Sequence, residues 1–270
     1  MSATTDSLAG RAEVILREVA EEAILPRFRA LADAEVIQKT GPDDLVTVAD
    51  REAEALLARR LPDLVPGSVV VGEEGVSADP AMLDRLGADA VWIVDPVDGT
   101  GNFVDGSDRF GVMVALVRGG ETVLGVIYPP CDGRCALAER GAGATFGGER
   151  LAGRQGVPFA KAAGDFSSLY FDEPLRSRFG ARFKGAASVH AGRCSAWAYL
   201  DAASGHSDFV MQYRMTVWDH APGVLIVAEA GGRTAMLPDG TPYRPIAQDD
   251  APMLCVADAQ MWDDYARALS

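Results

Sequence analysis

The residues of this chain best able to do chemistry lie at 91–103. There Val-Trp-Ile-Val runs directly into Asp95, Pro96, Val97, Asp98, Gly99 and Thr100, and on to Phe103. Two carboxylates at a strand's exit, beside the backbone N–H groups of a turn, could bind a hard divalent cation and a phosphate together. Taken alone, Asp-x-x-Asp-Gly reads first as an acidic turn that caps a helix, because so short a motif matches by chance. Three other segments carry groups that match. Residues 39–50 contribute Lys39, Asp44, Thr47 and Asp50, residues 69–74 end a β-branched run in Glu73 and Glu74, and residues 218–223 read Trp-Asp-His-Ala-Pro-Gly with Asp219 second. Hydrolysing a phosphate monoester requires an activated water, neutralised phosphoryl oxygens and a stabilised leaving alkoxide. Paired divalent ions held by carboxylates can supply all three. Magnesium prefers few carboxylates and several waters, which suits a small set of Asp and Glu.

Positioning such a set needs strands that end together. The apolar half of 91–103 reads as a buried strand and its second half as a tight turn, with Gly99 supplying unusual backbone angles. Residues 7–34 show helical spacing. Thr47 through Asp50 has the form of a capping box, heading a helix that Pro62 and Pro66 close before a strand at 68–72. Runs at 112–117 and 122–128 form a hairpin across Arg118 to Glu121, and strands at 135–139, 143–146 and 149–151 follow. Strands near 166–171, 186–189 and 208–212 then alternate with helices near 173–180, 194–203 and 218–229. A strand at 253–257 and a helix at 259–269 close the chain. Antiparallel strands first and αβ alternation second predict an α+β fold of two sheets layered with helices. A soft boundary near residue 155 divides an N-terminal half, 1–155, from a C-terminal half, 156–270, within one integrated unit.

The chain has 270 residues, is 48% hydrophobic and carries a formal charge of −14. That charge excludes nucleic-acid or anionic-membrane binding driven by bulk electrostatics. No apolar run reaches the roughly 18–20 residues that span a bilayer. The charged N-terminus lacks a secretory signal's apolar centre, so a cytoplasmic protein is expected. Cys131, Cys135, Cys194 and Cys255 make no zinc spacing and are expected as reduced, mostly buried thiols, and the three histidines are scattered.

Together the four acidic segments resemble the inositol monophosphatase family of magnesium-dependent, lithium-sensitive phosphatases. Asp-Pro-(apolar)-Asp-Gly-Thr-x-x-Phe is present from Asp95 to Phe103, and Trp-Asp-x-Ala-x-Gly from Trp218 to Gly223. The likeness runs in order from about residue 36 to residue 232. It implies an α-β-α-β-α sandwich, a homodimer and two to three Mg2+ per subunit. It also implies that Glu73, Asp95 and the Val97 carbonyl hold a first metal, while Asp95, Asp98 and Asp219 hold a second. A third, weaker metal beside Glu73 is common in that family. Glu73 and Thr100 would orient the attacking water, Asp50 would accept a hydrogen bond from Thr100, and the backbone at Gly99 and Thr100 would face the phosphate. No covalent phosphoenzyme is expected. Asp50 reads equally as the N3 residue of a capping box. Glu74 is a supporting or solvated acid, Asp44 a turn acid behind the site, and Lys39 a loop lysine or a surface charge. The substrate implied by default is myo-inositol monophosphate. A 3′(2′),5′-bisphosphate nucleotidase, a fructose-1,6-bisphosphatase and a histidinol-phosphate phosphatase share the scaffold. In another class stands a regulatory or binding protein that keeps the metal site.

Counting back from Asp219, the family's inositol-contacting Glu falls on Gln212, and its Gly-(Ser/Thr)-Ala-Ala stretch falls on Arg193, Cys194, Ser195 and Ala196. Asp98, Arg193, Ser195, Gln212 and Asp219 are therefore the candidate substrate contacts. Arg193 could grip a second phosphate or carboxylate bidentately, or pair outward with a nearby acid.

Overall fold

A computed structural model describes residues 6–32, 35–38 and 45–270. Ser7 caps α1 (Leu8–Val19), which continues through a π-helical turn (Ala20–Ile24) into a 3-10 turn (Leu25–Arg27). Pro26 lacks the N–H that would continue the α-helical ladder, so the helix expected over 7–34 stops early. A two-stranded ribbon, β1 (Val36–Gln38) and β2 (Leu45–Thr47), leads into α2 (Val48–Leu64), which extends two residues past Pro62. Next come β3 (Val69–Gly72), α3 (Glu73–Ala78), a 3-10 stretch (Pro80–Gly87), β4 (Ala90–Asp98) and α4 (Thr100–Val104). The run from β5 (Gly111–Arg118) through β6 (Glu121–Tyr128), β7 (Ala136–Glu139) and β8 (Gly143–Phe146) to β9 (Glu149–Leu151) follows the expected hairpins. The last part holds β10 (Ala163–Phe166), α5 (Leu175–Phe183), β11 (Ser188–His190), α6 (Ser195–Ala203), β12 (Phe209–Gln212), α7 (Val217–Glu229), β13 (Arg233–Met236), β14 (Met253–Val256) and α8 (Trp262–Leu269).

Strands β3 to β9 form one seven-stranded sheet in sequence order, antiparallel except for the parallel β3–β4 pair. The second sheet has the order β11-β10-β12-β14-β13. Period-two alternation decides what each face meets. Trp92 and Val94 of β4 pack with Leu16, Val19, Leu57 and Leu61 of α1 and α2, while Val91 and Ile93 point to the opposite face. Helices α6 and α7 fill the space between the sheets, with Tyr199, Leu200 and Ile226 meeting Met113 and Ile127 on one side and Val210 and Cys255 on the other. Phe179 and Phe183 of α5 and Trp262 and Tyr265 of α8 cover the outer face of the second sheet. The result is the five-layer α-β-α-β-α sandwich expected from the sequence.

The strand expected over 166–171 ends at Phe166 as β10; the chain then turns at Ser168 to Phe171 and becomes part of a cleft wall. Sequence patterning missed β13 and α3, which are short and lie beside glycines. Cys135, Cys194 and Cys255 are buried, Cys131 is exposed, and all four are free thiols. Among the described residues no helix is long and apolar enough to cross a membrane.

Candidate active site

The ends of β3 and β4 and the starts of α3, α4, α6 and α7 meet at one cleft. Residues three apart on a regular strand face opposite ways, so Asp95 and Asp98 could not share a side of an unbroken β4. The pairing with β5 is broken between them: Asp95 faces Met113 and Asp98 faces Gly111, so β4 carries one residue more than its partner. Pro96 sits inside this bulge, where its missing N–H costs no ladder bond. Asp95 Oδ1 accepts from the Val97 N–H at 3.1 Å, closing the bulge locally. Gly99 then adopts a left-handed conformation (φ 83°, ψ 38°) that launches α4 at a sharp angle. The tight turn expected at 95–103 is thus a bulge, one left-handed residue and a short helix.

Asp98 is held from across the molecule. Its Oδ2 accepts from the Ala196 N–H and the Cys194 thiol, both at 2.7 Å, and its Oδ1 accepts from the Ser195 N–H at 3.1 Å. The carboxylate so caps α6, whose first N–H groups have no partner within the helix. Asp219 enters on the first turn of α7, steadied by the Thr216 hydroxyl at 2.6 Å. The next turn of α7 packs closely on α6, since a Cβ on Gly223 would fall 2.2 Å from the Tyr199 ring. One carboxylate oxygen from each of Asp95, Asp98 and Asp219 lies within 4.8 Å of the others. Burial, with repulsion from Asp219, pushes the Asp98 carboxyl up to about 7. Burial, then repulsion from Glu73, Asp98 and Asp219, raises Asp95 well above the usual carboxylate range. An all-oxygen cluster that resists ionisation in isolation fits a hard divalent cation, which would relieve the repulsion.

Asp50 serves both roles its position allowed. Its Oδ2 accepts from the Thr47 N–H at 2.9 Å and the Thr47 hydroxyl at 2.5 Å, completing the capping box, while Oδ1 lies 3.0 Å from the Thr100 hydroxyl. The same hydroxyl is 3.0 Å from the Val97 carbonyl. Burial pushes Asp50 up to about 6 against these hydrogen bonds. Glu73 opens α3 and lines the cleft. Glu54 of α2, a residue the sequence reading did not single out, accepts from the N–H groups of Glu74 (2.8 Å) and Gly75 (2.7 Å) and so fixes the turn that carries Glu73. Lys39 and Asp44 lie outside the described residues.

Gln212, at the end of β12, lines the opposite side of the cleft with Arg193 and Ser195. Arg193 has a left-handed backbone (φ 54°), a conformation that favours glycine, and its Nη1 lies 3.2 Å from Asp105 Oδ2. Buried Asp165 on β10 anchors the preceding Gly192 N–H at 2.7 Å. Asp165, Cys194, Arg214 and Tyr170 also line the cleft and were not foreseen as site residues. An acid inside the apolar run Ala163–Phe166 was the one local signal for Asp165.

The inositol monophosphatase family model matches residues 9–255. A Thermotoga maritima protein named fructose-1,6-bisphosphatase/inositol-1-monophosphatase is 34% identical over 203 residues, 73% of each chain. A Vibrio cholerae protein named Nus factor SuhB is 31% identical over 222 residues, covering 80% of this chain and 81% of that one. Among solved structures, an inositol monophosphatase from Zymomonas mobilis superposes with a TM-score of 0.81 at 25% identity, covering 100% of this chain and 99% of that one.

Proposed function

The chain belongs to the inositol monophosphatase family of phosphatases, and we propose that it is a magnesium-dependent phosphomonoesterase that hydrolyses small-molecule phosphate esters by direct attack of water. The convergence of Asp95, Asp98 and Asp219 within 4.8 Å, beside the Thr100–Asp50 pair, carries this reading. In it these three acids, with Glu73 and the Val97 carbonyl, would hold two to three Mg2+, which would supply the charge that makes water acidic and offsets the negative phosphoryl and leaving oxygens. The single Thr100 hydroxyl proton goes to Asp50 Oδ1 or to the Val97 carbonyl, both acceptors, so its lone pairs are left to accept a hydrogen from the attacking water. A proton leaving that water then has a path through Thr100 Oγ1 to Asp50 Oδ1. Glu73 orients the same water from α3. The first N–H groups of α4, at Gly99 and Thr100, meet the phosphoryl oxygens. Arg193, Ser195 and Gln212, with Asp98 and Asp219, face the leaving group. No covalent phosphoenzyme forms.

Within this chemistry myo-inositol monophosphate is the default substrate, and nucleoside bisphosphates, fructose 1,6-bisphosphate and histidinol phosphate are the alternatives. A cytoplasmic homodimer inhibited by lithium completes the proposal. The name of the Vibrio cholerae relative favours a second reading, a regulatory protein that keeps the metal site. Phosphate release from a panel of these esters, with and without magnesium, separates the two. Magnesium-dependent turnover that disappears in Asp98→Asn supports the phosphatase. Magnesium binding with no turnover of any ester rejects it in favour of the regulatory reading.

A further inference from the structure

The acid cluster does not choose the leaving alcohol; the rest of the cleft does. Among the described residues lining it, the cations are Arg193 and Arg214, and both stand on the leaving-group side with Gln212. Arg193 is rooted one residue from the thiol that touches Asp98. Its guanidinium lies against α4, where a Cβ on Gly101 would fall 2.5 Å from Nη2. It therefore sits beside the helix that begins with Thr100. Its pairing with Asp105 is exposed on both sides, 46% and 61%. Such a pair is weak and exchanges readily for a phosphate, whose geometry matches the guanidinium fork. Holding an Arg at a left-handed position is itself unfavourable, and a side chain reaching over the site gives that strain a use.

Arg214 follows β12, and its carbonyl is pinned by His220 Nε2 at 2.6 Å. Its guanidinium carbon lies 5.4 Å from the centre of the Tyr170 ring. Behind it Tyr213 stacks on Phe171 at 4.5 Å. A neutral polyol offers two guanidinium groups only uncharged hydroxyl acceptors, whereas a second phosphate matches their charge and fork, and Gln212 itself is uncharged.

We propose that Arg193 and Arg214 form a second anion subsite, so that the preferred substrates are phosphomonoesters whose leaving group carries another phosphate. The subsite rests on the phosphomonoesterase reading above. Sugar bisphosphates and nucleoside bisphosphates share this chemistry, and Tyr170 at the cleft mouth separates them, because a flat base gains more from stacking on an aromatic ring than a sugar does.

The test is kcat/KM in magnesium for 3′-phosphoadenosine 5′-phosphate, fructose 1,6-bisphosphate, myo-inositol 1-phosphate and β-glycerophosphate, in the native protein and in Arg193→Gly, Arg214→Ala and Tyr170→Ala. Arg193→Gly suits the left-handed backbone, so it is expected to fold. The native protein should prefer a bisphosphate, and each arginine variant should lower the ratio of bisphosphate to β-glycerophosphate kcat/KM by about ten-fold or more, the effect of losing a charged hydrogen bond. With those losses in place, a Tyr170→Ala effect confined to the nucleotide identifies the nucleoside class, and its absence identifies the sugar class. Turnover of β-glycerophosphate with ratios untouched by both arginine variants overturns the subsite alone. Failure to turn over any of the four esters overturns the phosphomonoesterase reading and the subsite with it.

Discussion

Stripping divalent cations at about pH 8 should destabilise the fold through its buried acids, and lowering the pH should restore what was lost. Asp98 is displaced from 3.8 to about 7, because burial and Asp219 outweigh donation from Cys194, Ala196 and Ser195. A shift of about three units corresponds to about 4 kcal/mol. The folded state holds this proton more tightly than the unfolded chain does. The stabilisation is therefore fully present below 3.8 and is lost as the pH rises through about 7. Asp95, raised by burial and by Glu73, acts in the same direction. At an unfolding entropy of about 2.1 cal/mol/K per residue, 4 kcal/mol in a chain of this length is a Tm change of about 7 °C. Between about pH 8 and about pH 6, one unit below the Asp98 value, about 1.4 kcal/mol of this returns, so scanning calorimetry of chelator-treated protein should show Tm rising by about 2 °C as the pH falls. Magnesium should raise Tm strongly at the upper pH and little at the lower. In Asp98→Asn the pH dependence should shrink, although the new amide would set an N–H against one of the α6 donors and lower the starting stability. A metal-free Tm that stays flat or falls across this range, or a magnesium shift equal at both ends, refutes the electrostatic reasoning.

Asp50→Asn and Thr100→Ala should each lower kcat by about 100-fold with a smaller change in KM. In the native protein kcat should fall on the acid side of about pH 6, where Asp50 takes up its proton; steady-state kinetics across pH checks both. Gly99→Ala forces a Cβ at φ 83° to within 3.0 Å of the Cys194 Cβ and 3.2 Å of the Arg109 carbonyl. It should cost at least about 1–2 kcal/mol in chemical denaturation, and a neutral result would contradict the left-handed turn. Glu54→Gln weakens the grip on the N–H groups that open α3, so magnesium affinity measured by calorimetry should fall about ten-fold while the helical circular dichroism persists.

What the sequence determined by itself was local. Apolar alternation marked most strands, Pro96 and Gly99 marked the break in β4, and Thr47 with Asp50 wrote the capping box. Each signal acts within a few residues, through backbone sterics and short-range hydrogen bonds. The order of four acidic segments was enough to name the family and to nominate Asp95, Asp98 and Asp219. Only the tertiary structure decided how those acids behave. Asp98 is raised because α7 brings Asp219 to it in a buried place, and it is held because α6 begins at the same point, with Cys194, Ser195 and Ala196 as donors. Glu54 came to matter only once α2 lay beside α3, and Arg193, already nominated by its place in the motif, met Asp105 and α4 only once its loop folded. Burial and proximity between distant segments belong to the packed layers, and no stretch of sequence carries them alone.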